Sequence, residues 1–300
     1  MRLHTFAATI AVVTLTLVQG VANAAPKKTL IQEFTATWCP HCANAGGGIF
    51  QLLQADPDTL VGMMQHFADS YETDLSQELI DFYGLPGHPS IWVDGTWNQI
   101  GSTGNFDANE ASIGALVDMA STTTDVIIDI SGTELSNTDY TLDVSVHVEA
   151  SGEARSMRIY ITQAYNDTAW PETNELQFNT QRQAAPTQTI SLNPGETWSF
   201  EHTFTLTGES LNRDFVTYIV WAQDDLSSPP AMIRQVAVHE HGAVAPCTCD
   251  GDFDCDFDND VDDLLHLLAA WGTDGGDANG DGETDVNDLL MLIAIWGNCS

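Results

Sequence analysis

The stretch Trp38-Cys39-Pro40-His41-Cys42 decides how the first part of this chain folds. Two cysteines separated by two residues, after an apolar run and before a helix-like segment, are the sequence form of a dithiol/disulfide redox site. Cys39 lies in the turn before the predicted helix, where unpaired backbone N–H groups and the helix dipole favour a thiolate. The alternatives are half of a zinc site, a structural disulfide, and a redox fold kept only as a scaffold.

The segments on either side of this motif separate these alternatives. Upstream, residues 28–36 are predicted to form a buried strand that carries Glu33, six residues before Cys39. Downstream, the segment Tyr-Gly-Leu-Pro-Gly-His-Pro-Ser at residues 83–90 leads into a short apolar strand at residues 91–93. In their order and spacing, the three segments resemble the thioredoxin-fold thiol–disulfide oxidoreductases, and the resemblance covers residues 27–120.

That resemblance implies a minimal thioredoxin fold, without the leading strand–helix unit, and a role for each site residue. Cys39 is the exposed nucleophile and Cys42 resolves the mixed disulfide. Glu33 is the buried acid that relays a proton behind Cys42, and Pro89 is the cis-proline beside which a substrate chain pairs. The Pro-His pair between the cysteines resembles periplasmic disulfide oxidases, in which a histidine such as His41 stabilises the thiolate.

Periodicity predicts the other elements of this α/β part. Helices are expected at residues 42–56, 74–82 and 108–119, and strands at residues 60–66 and 97–100. Gly46-Gly47-Gly48 departs from the pattern, because three glycines weaken the start of a helix, so we expect a less rigid site. His66, Trp92 and Trp97 are interpreted as core or rim residues.

Composition narrows the range of partners. The chain has 300 residues, with eight Lys+Arg against 43 Asp+Glu and a formal net charge of −35. Nucleic acids and anionic membrane surfaces are not expected as partners, because both require a cationic face. A chain of this length can form two or three domains. The excess of carboxylate groups favours the binding of divalent cations.

Residues 1–24 have the form of a secretory signal. Arg2 and His4 precede an apolar run at residues 6–18, and Ala22-Asn23-Ala24 is a small-residue cleavage site. The apolar run is short for a membrane anchor, and no later stretch is long enough to span a bilayer. Because no cysteine lies near the cleavage site, we predict an exported protein, periplasmic or extracellular, without a lipid anchor.

After the thioredoxin-like domain at residues 25–121, the hydrophobic period changes to two. Residues 142–148 alternate apolar and polar side chains, and about seven such strands are expected. We therefore predict an immunoglobulin-like β-sandwich over residues 122–240. This domain order resembles a family of exported outer-membrane-protein-like thioredoxins. His239-Glu240-His241 lacks the spacing of a helical metal motif, and we interpret it as a solvated segment where the sandwich meets a linker at residues 241–249.

The tail, residues 250–300, is an internal repeat. The segment from Asp288-Leu289-Leu290 to Trp296-Gly297 repeats the segment from Asp263-Leu264-Leu265 to Trp271-Gly272, 25 positions earlier. Each copy follows a loop with oxygen side chains at positions 1, 3, 5, 9 and 12 and a backbone carbonyl at position 7 (Asp258 and Glu283), the arrangement of an EF-hand Ca²⁺ site with Asp in place of Glu at position 12. The predicted ligands are Asp252, Asp254, Asp256, Asp258, Asp260 and Asp263 in the first loop, and Asp277, Asn279, Asp281, Glu283, Asp285 and Asp288 in the second.

The tandem loop–helix repeat resembles a type I dockerin, a calcium module that binds cohesin partners. Phe257 replaces the expected glycine in the first loop, which weakens that site. The partner-binding positions hold Val261-Asp262 and Val286-Asn287 instead of the family's frequent Ser-Thr. The resemblance therefore implies a Ca²⁺ cofactor, and it only weakly implies a cohesin-like partner.

Four further cysteines flank or enter this tail. Because the chain is predicted to be exported, two disulfides are expected to stabilise the small module, and a zinc site is the alternative. Four cysteines allow three connectivities, and the sequence does not choose among them. These residues are Cys247, Cys249, Cys255 and Cys299.

The sequence thus predicts a multidomain protein with an α/β part, an all-β part and a small α-helical part. Its predicted function is thiol–disulfide exchange with the thiols and disulfides of exported proteins. Cys39 forms the mixed disulfide in this mechanism and Cys42 resolves it. The alternative is a non-catalytic extracellular adhesion or assembly protein that docks through its calcium-binding C-terminal module.

Overall fold

The computed structural model describes residues 24–166, 178–208 and 212–242, and parts of the C-terminal repeat. The predicted signal segment, up to residue 23, and most of the predicted linker lie outside the described residues. Among the described residues, no helix is long and apolar enough to cross a membrane. In the C-terminal part the structure describes residues 251, 253, 258–259, 261–273, 275–279 and 281–298.

The first part of the chain is a mixed sheet with helices on both faces. In chain order its elements are β1 (Ala25–Pro26), β2 (Thr29–Thr35), α1 (Cys42–Ala55), β3 (Leu60–His66), α2 (Asp74–Tyr83), β4 (Ser90–Val93), β5 (Trp97–Ile100) and α3 (Phe106–Val117). β2 is flanked by β3, which runs parallel to it, and by β4, which runs antiparallel; β5 pairs with β4. This is the predicted thioredoxin-like arrangement, and the predicted element bounds match it closely.

Alternate residues of β2 face opposite sides of the sheet. On one face, Ile31 shares a buried core with Ile49 of α1 and Ile113 of α3. On the other face, Phe34 shares a core with Leu79 of α2. Because both faces are covered, every residue of β2 is buried, and the strand therefore shows no clean alternation of apolar and polar residues.

The three consecutive glycines at residues 46–48 lie inside α1 and are buried. A methyl group at Gly46 would lie 2.9 Å from Glu33 Oε2, and one at Gly48 would lie 2.6 Å from Asn109 Cβ. The absence of side chains therefore allows β2 and α3 to pack directly against α1. The glycines do not interrupt the helix, because these close contacts offset their low helix propensity.

The second part is β-rich. Its elements are β6 (Thr123–Thr124), β7 (Val126–Glu134), β8 (Asp139–Val148), β9 (Arg155–Tyr165), β10 (Thr180–Ala184), β11 (Gln188–Leu192), β12 (Thr197–Thr205), β13 (Val216–Asp224) and β14 (Ile233–Glu240). A three-stranded sheet has the order β12-β8-β7, while β14, β13, β9 and β11 belong to the larger sheet. Val144 and Val146 of β8 share a core with Ile161 of β9 and Val220 of β13. The two sheets therefore pack face to face, as predicted for the all-β part.

The larger sheet continues from the second part into the first. β10 pairs with β9 on one side and, through Thr180 and Met64, with β3 on the other. Nine of the described strands thereby belong to one sheet that crosses both parts. Tyr83 of α2 shares a buried core with Tyr160 of β9 and Trp221 of β13. The two parts predicted as separate domains are joined by a strand pair and by a common apolar core.

Buried polar contacts also join the two parts. Gln223 of β13 donates a hydrogen bond to Tyr83 Oη (2.9 Å), and Tyr83 donates to Gln32 of β2 (3.1 Å). Ile233 N of β14 donates to the carbonyl of Asp94 in the β4–β5 turn (2.9 Å). Because a buried polar group that loses its partner costs about 1–3 kcal/mol, these contacts fix the relative orientation of the two parts.

The C-terminal part contains two helices at the spacing of the sequence repeat. Its elements are β15 (Asp258–Asn259), α4 (Val261–Ala269), α5 (Val286–Ala294) and β16 (Gly297–Asn298). Leu267 of α4 and Leu292 of α5 are fully buried at equivalent positions. Equivalent positions also expose large apolar side chains: Val261, Leu265, Leu268 and Trp271 in the first copy, and Val286, Leu290, Ile293 and Trp296 in the second.

Candidate redox site

The end of β2, the following turn and the start of α1 position the two cysteines. β2 ends at Thr35, Cys39 N donates to Ala36 O (3.0 Å), and α1 begins at Cys42. The two Sγ atoms form a disulfide of 2.10 Å, and the Cα atoms lie 5.5 Å apart. The structure thus brings together the two thiols that the sequence predicted as a redox pair.

Both cysteines are buried in this disulfide form. Cys39 is 3% exposed and Cys42 is 1% exposed, and both pack with Ala36 in a small buried cluster. The resemblance implied an exposed Cys39, and the structure differs: its neighbours Trp38, Pro40 and His41 are exposed, whereas Cys39 is buried. His41 is the N-cap residue of α1, and its side chain makes no capping hydrogen bond. Access to Cys39 Sγ is therefore narrow.

Glu33 lies on the face of β2 that packs against α1. Its side chain is fully buried, and its Oε2 lies close to Gly46, where an added methyl group would be 2.9 Å away. Gly46 is four residues after Cys42, about one helical turn along α1. The carboxyl group therefore lies behind the first turn of the helix that begins with Cys42.

The His88–Pro89 peptide bond is cis, as the resemblance implies for this segment. His88 Nδ1 lies 3.1 Å from the carbonyl oxygen of Phe34. The imidazole stacks on Phe67 with ring centroids 5.0 Å apart, and the Trp38 ring meets it edge-on at 6.2 Å. Trp38 is 57% exposed and precedes Cys39. These three rings form an aromatic surface next to the redox turn.

A buried carboxylate that the sequence analysis missed lies against the turn before Cys39. Asp69 follows β3 and accepts hydrogen bonds from Thr37 N (2.7 Å) and Tyr71 N (2.9 Å), and its Oδ2 lies 2.8 Å from His66 Nδ1. Burial acts to raise the pKa of Asp69, but His66 and the backbone N–H groups together lower it below its ordinary value. The sequence signal was only the i,i+3 spacing of a histidine and an aspartate at a strand end.

The second predicted calcium loop folds around its own carboxylates. Asp277 accepts a hydrogen bond from Asp281 N (3.1 Å). Asp288 is buried and accepts hydrogen bonds from Asp285 N (2.7 Å) and Asn279 N (3.1 Å), which lower its pKa. Within the described residues, no three His, Cys, Asp or Glu side chains form a group that could hold a metal ion.

Most of the first calcium loop lies outside the described residues. Asp263 is buried and accepts a hydrogen bond from Phe253 N (2.6 Å), in a position equivalent to that of Asp288. The remaining predicted ligands of this loop and the tail disulfides stay predictions. The residues concerned are Asp252, Asp254, Asp256 and Asp260, the side chain of Asp258, and Cys247, Cys249, Cys255 and Cys299.

The segment His239-Glu240-His241 is not a solvated linker, so that interpretation was wrong. β14 continues to Glu240, and His239 is 7% exposed. His239 Nε2 lies 2.8 Å from Tyr140 Oη, and His241 Nδ1 lies 3.0 Å from Tyr218 Oη. Burial lowers the pKa of both histidines. These imidazoles pair with tyrosines at the end of the β-sandwich because β14 adds to the sheet beside β13.

Comparisons with known proteins identify solved structures that are similar to this one. No family model matches the chain, and no curated protein sequence matches it. The solved structure of HBP35 of Porphyromonas gingivalis is similar over 74% of this chain and 78% of that chain, with a TM-score of 0.60 and 14% sequence identity. Reduced DsbA1 from Neisseria meningitidis is similar over 35% of this chain and 94% of that chain, with a TM-score of 0.25 and 15% identity. The protein is thus similar in fold to HBP35. Its own first part is an α/β unit with a Cys-x-x-Cys disulfide, joined to a β-rich second part.

Proposed function

We propose that this protein is an exported thiol–disulfide oxidoreductase that acts on the cysteines of other exported proteins. The observation that carries the proposal is the Cys39–Cys42 disulfide at the start of α1 on a thioredoxin-like fold. The buried Glu33 behind α1 and the His88–Pro89 segment, whose imidazole meets the Trp38 ring next to Cys39, support it. The signal-like residues 1–24 support export, to the periplasm or the cell exterior.

The reaction begins when a substrate thiolate attacks Cys39 Sγ. A substrate–Cys39 disulfide forms, the Cys39–Cys42 bond breaks, and Cys42 leaves as a thiolate that takes up a proton. A second substrate thiolate then attacks the substrate sulfur of the mixed disulfide and releases Cys39 as a thiolate. The substrate dithiol is oxidised by two electrons and the cysteine pair is reduced; the reverse sequence reduces a substrate disulfide.

The site residues take distinct roles in this exchange. Cys39 carries the mixed disulfide because the N–H groups at the start of α1 stabilise its thiolate. His41, when protonated, adds a positive charge to the same turn. Glu33 relays the proton to or from Cys42. The backbone beside Pro89 pairs with an extended segment of the substrate.

The second part is an immunoglobulin-like sandwich in this proposal. Counting the edge pair β10–β11 as one, the first, second and fifth strands (β7, β8 and β12) form one sheet, and the third, sixth and seventh (β9, β13 and β14) lie in the other. This division supports an immunoglobulin-like sandwich in which the fourth strand, β10 with β11, lies beside β9 in the second sheet.

The C-terminal repeat is an EF-hand-like, dockerin-like calcium module in this proposal. Its ligands are the twelve loop residues named from the sequence, and Ca²⁺ neutralises carboxylates that otherwise repel one another. The equivalent burial of Asp263 and Asp288 at position 12 of each loop supports the shared register. The partner-binding positions hold Val261-Asp262 and Val286-Asn287, so the dockerin resemblance does not extend to a cohesin partner in this proposal.

A non-catalytic adhesion or assembly protein is the second candidate. Two observations favour it: Cys39 is 3% exposed, and both copies of the C-terminal repeat expose apolar side chains such as Leu265 and Leu290. In this function the disulfide stabilises the first part, and the C-terminal module docks on a partner protein.

A redox titration separates the two candidates. The mature chain, residues 25–300, is equilibrated with mixtures of reduced and oxidised glutathione, and the state of Cys39 and Cys42 is measured by thiol alkylation and peptide mass. We expect a reversible two-electron transition and turnover on a model protein disulfide. A pair that stays oxidised at every glutathione ratio and gives no turnover would identify the disulfide as structural and favour the assembly protein.

A further inference from the structure

A cation from the second part lies against the first part close to the redox turn. Arg182 of β10 places its guanidinium carbon 4.4 Å from the centroid of the Tyr71 ring. Tyr71 lies in the segment between β3 and α2 and is itself buried. A guanidinium at this distance from an aromatic face is held by a cation–π interaction. The contact exists because β10 pairs with β3 and brings its side chains to this edge.

From Tyr71 a chain of contacts leads to the cysteine turn. The Tyr71 ring meets the His66 ring edge-on at 5.2 Å, and both residues contact the Asp69 carboxylate. Asp69 in turn accepts the hydrogen bond from Thr37 N (2.7 Å). Thr37 is two residues before Cys39, so the carboxylate is anchored to the turn that carries the reactive sulfur.

A second hydrogen bond joins the segment between β3 and α2 to the turn that carries Cys39. Trp38 Nε1 donates to the carbonyl oxygen of Ala68 (3.2 Å), the residue before Asp69. Ala68 has a φ of 53°, in the left-handed region, and its N–H donates to Glu72 Oε2 (2.6 Å). The loop therefore has a defined conformation, and a displacement of Asp69 moves the backbone at Thr37 and Trp38.

The charges along this chain have opposite effects on a thiolate at Cys39. By the sign of the charge, the buried carboxylate of Asp69 disfavours a thiolate on the neighbouring turn, and the guanidinium of Arg182 favours one. Arg182 also attracts Asp69. Burial lowers the pKa of Arg182, while Tyr71 and Asp69 act in the opposite direction and favour the charged form. The balance of these two charges therefore affects the equilibrium between the reduced and the oxidised form of the cysteine pair.

We propose that Arg182 is a positioning residue of the redox site, which acts through Tyr71 and Asp69 on the turn that carries Cys39. The second part of the protein is then a component of the redox centre and not only an accessory module. This inference rests on the proposed oxidoreductase function, and it adds to that function a residue from outside the thioredoxin-like part.

The test is the glutathione equilibrium constant of the mature chain, of three variants at Arg182 and Asp69, and of one control variant. Arg182→Gln removes the cation, so the thiolate loses stabilisation and the site becomes more reducing. Asp69→Asn removes the anion and makes the site more oxidising. Each shift is expected to be about threefold to tenfold in the equilibrium constant, or roughly 15–30 mV for a two-electron couple. Arg182→Lys keeps the charge and stays close to the unmodified protein.

The opposite signs separate an electrostatic role from a merely structural one, because loosening the turn would shift both variants in the same direction. Arg155→Gln is the matched control. Arg155 lies at the start of β9 and is paired with Asp125 at 2.8 Å. We expect its substitution to leave the glutathione equilibrium constant unchanged. If the unmodified chain equilibrates but Arg182→Gln and Arg182→Lys both match it, the inference is overturned and the proposed function stands. If the unmodified chain does not equilibrate, both fail.

Discussion

Cys39 has little solvent exposure, but its position before α1 stabilises a negative charge on its sulfur. The residue is 3% exposed, yet it lies in the turn just before α1, where a negative charge is stabilised by typically 0.3–1 kcal/mol. Cys42 is the first residue of α1 and lies deeper, with Glu33 behind the same helical turn. We therefore expect the thiolate to form at Cys39 and proton transfer to take place at Cys42.

The first prediction concerns the order of these two thiols. Cys42→Ser is expected to accumulate a mixed disulfide between Cys39 and substrate proteins, because the resolving thiol is missing. Cys39→Ser is the control and is expected to form none. Non-reducing electrophoresis with a scrambled test protein measures both. Absence of any adduct with Cys42→Ser would contradict the oxidoreductase function.

The second prediction assigns the proton step to Glu33. Glu33→Gln keeps the size of the side chain but cannot accept a proton, so resolution of the mixed disulfide is expected to slow by roughly 10²-fold or more. The rate at which Cys39 reacts with iodoacetamide should change much less. Stopped-flow kinetics at several pH values distinguishes the two steps, and an equal loss in both rates would indicate only a damaged fold.

At the scale of elements, α1 and α3 show how packing overrides propensity. The intrinsic preference of alanine over glycine in a helix is about 1 kcal/mol. At Gly48, however, a methyl group would lie 2.6 Å from both Asn109 Cβ and Glu110 N of α3. The close approach of the two helices therefore requires glycine, although local sequence rules would favour alanine at this position.

Gly48→Ala is accordingly expected to destabilise the protein by roughly 1–3 kcal/mol, the range for overpacking a tight interface. Gly114→Ala in α3 is the matched control, because its methyl group would meet Leu52 Cδ2 at an ordinary 3.4 Å and should be neutral or stabilising. Urea unfolding followed by circular dichroism measures both. If Gly48→Ala instead stabilises the protein, α1 and α3 can move apart without lowering the free energy of unfolding.

The next prediction concerns Ca²⁺ binding by the C-terminal repeat. The loop from Asp277 to Asp288 is expected to bind Ca²⁺ and to stabilise α5, because clustered carboxylates repel until a cation lies among them. Asp281→Ala should lower the affinity at least tenfold. Isothermal titration calorimetry of the mature chain measures this, with the exposed Asp118→Ala as control. A chelated protein that shows neither heat nor stabilisation on Ca²⁺ addition would contradict it.

At the scale of the whole molecule, the first two parts behave as one body. Phe34 and Tyr83 from the first part share a core with Tyr160 and Trp221 from the second. Burial of large apolar side chains contributes about 1.5–3 kcal/mol each, so separating the parts exposes a sizeable share of the stabilising area.

Residues 25–120 alone are therefore expected to unfold at much lower urea concentration than residues 25–242, and without a sharp cooperative transition. Circular dichroism and the exposure of Trp92, which is buried in the shared core, follow the transition. Equal midpoints for the two fragments would show that the thioredoxin-like part is an independent domain, as the sequence alone suggested.

The sequence by itself determined the features that depend on local patterns. The Cys39–Cys42 spacing, the apolar run of β2 and the 25-residue repeat of the tail are short-range signals, and the redox pair, the central strand and the paired helices follow from them. Glu33 and Pro89 were identified through the resemblance because their distance from the motif along the chain is characteristic.

Only the tertiary structure decided the contacts that join distant segments. β10 has the sequence Thr-Gln-Arg-Gln-Ala, which carries no apolar alternation, and it becomes a strand because β9 and β3 offer it two edges. Asp69 and Arg182 gain their importance from the same arrangement. Hydrogen-bonding edges and buried charges are completed by partners far away in the chain, so no local period in the sequence records them.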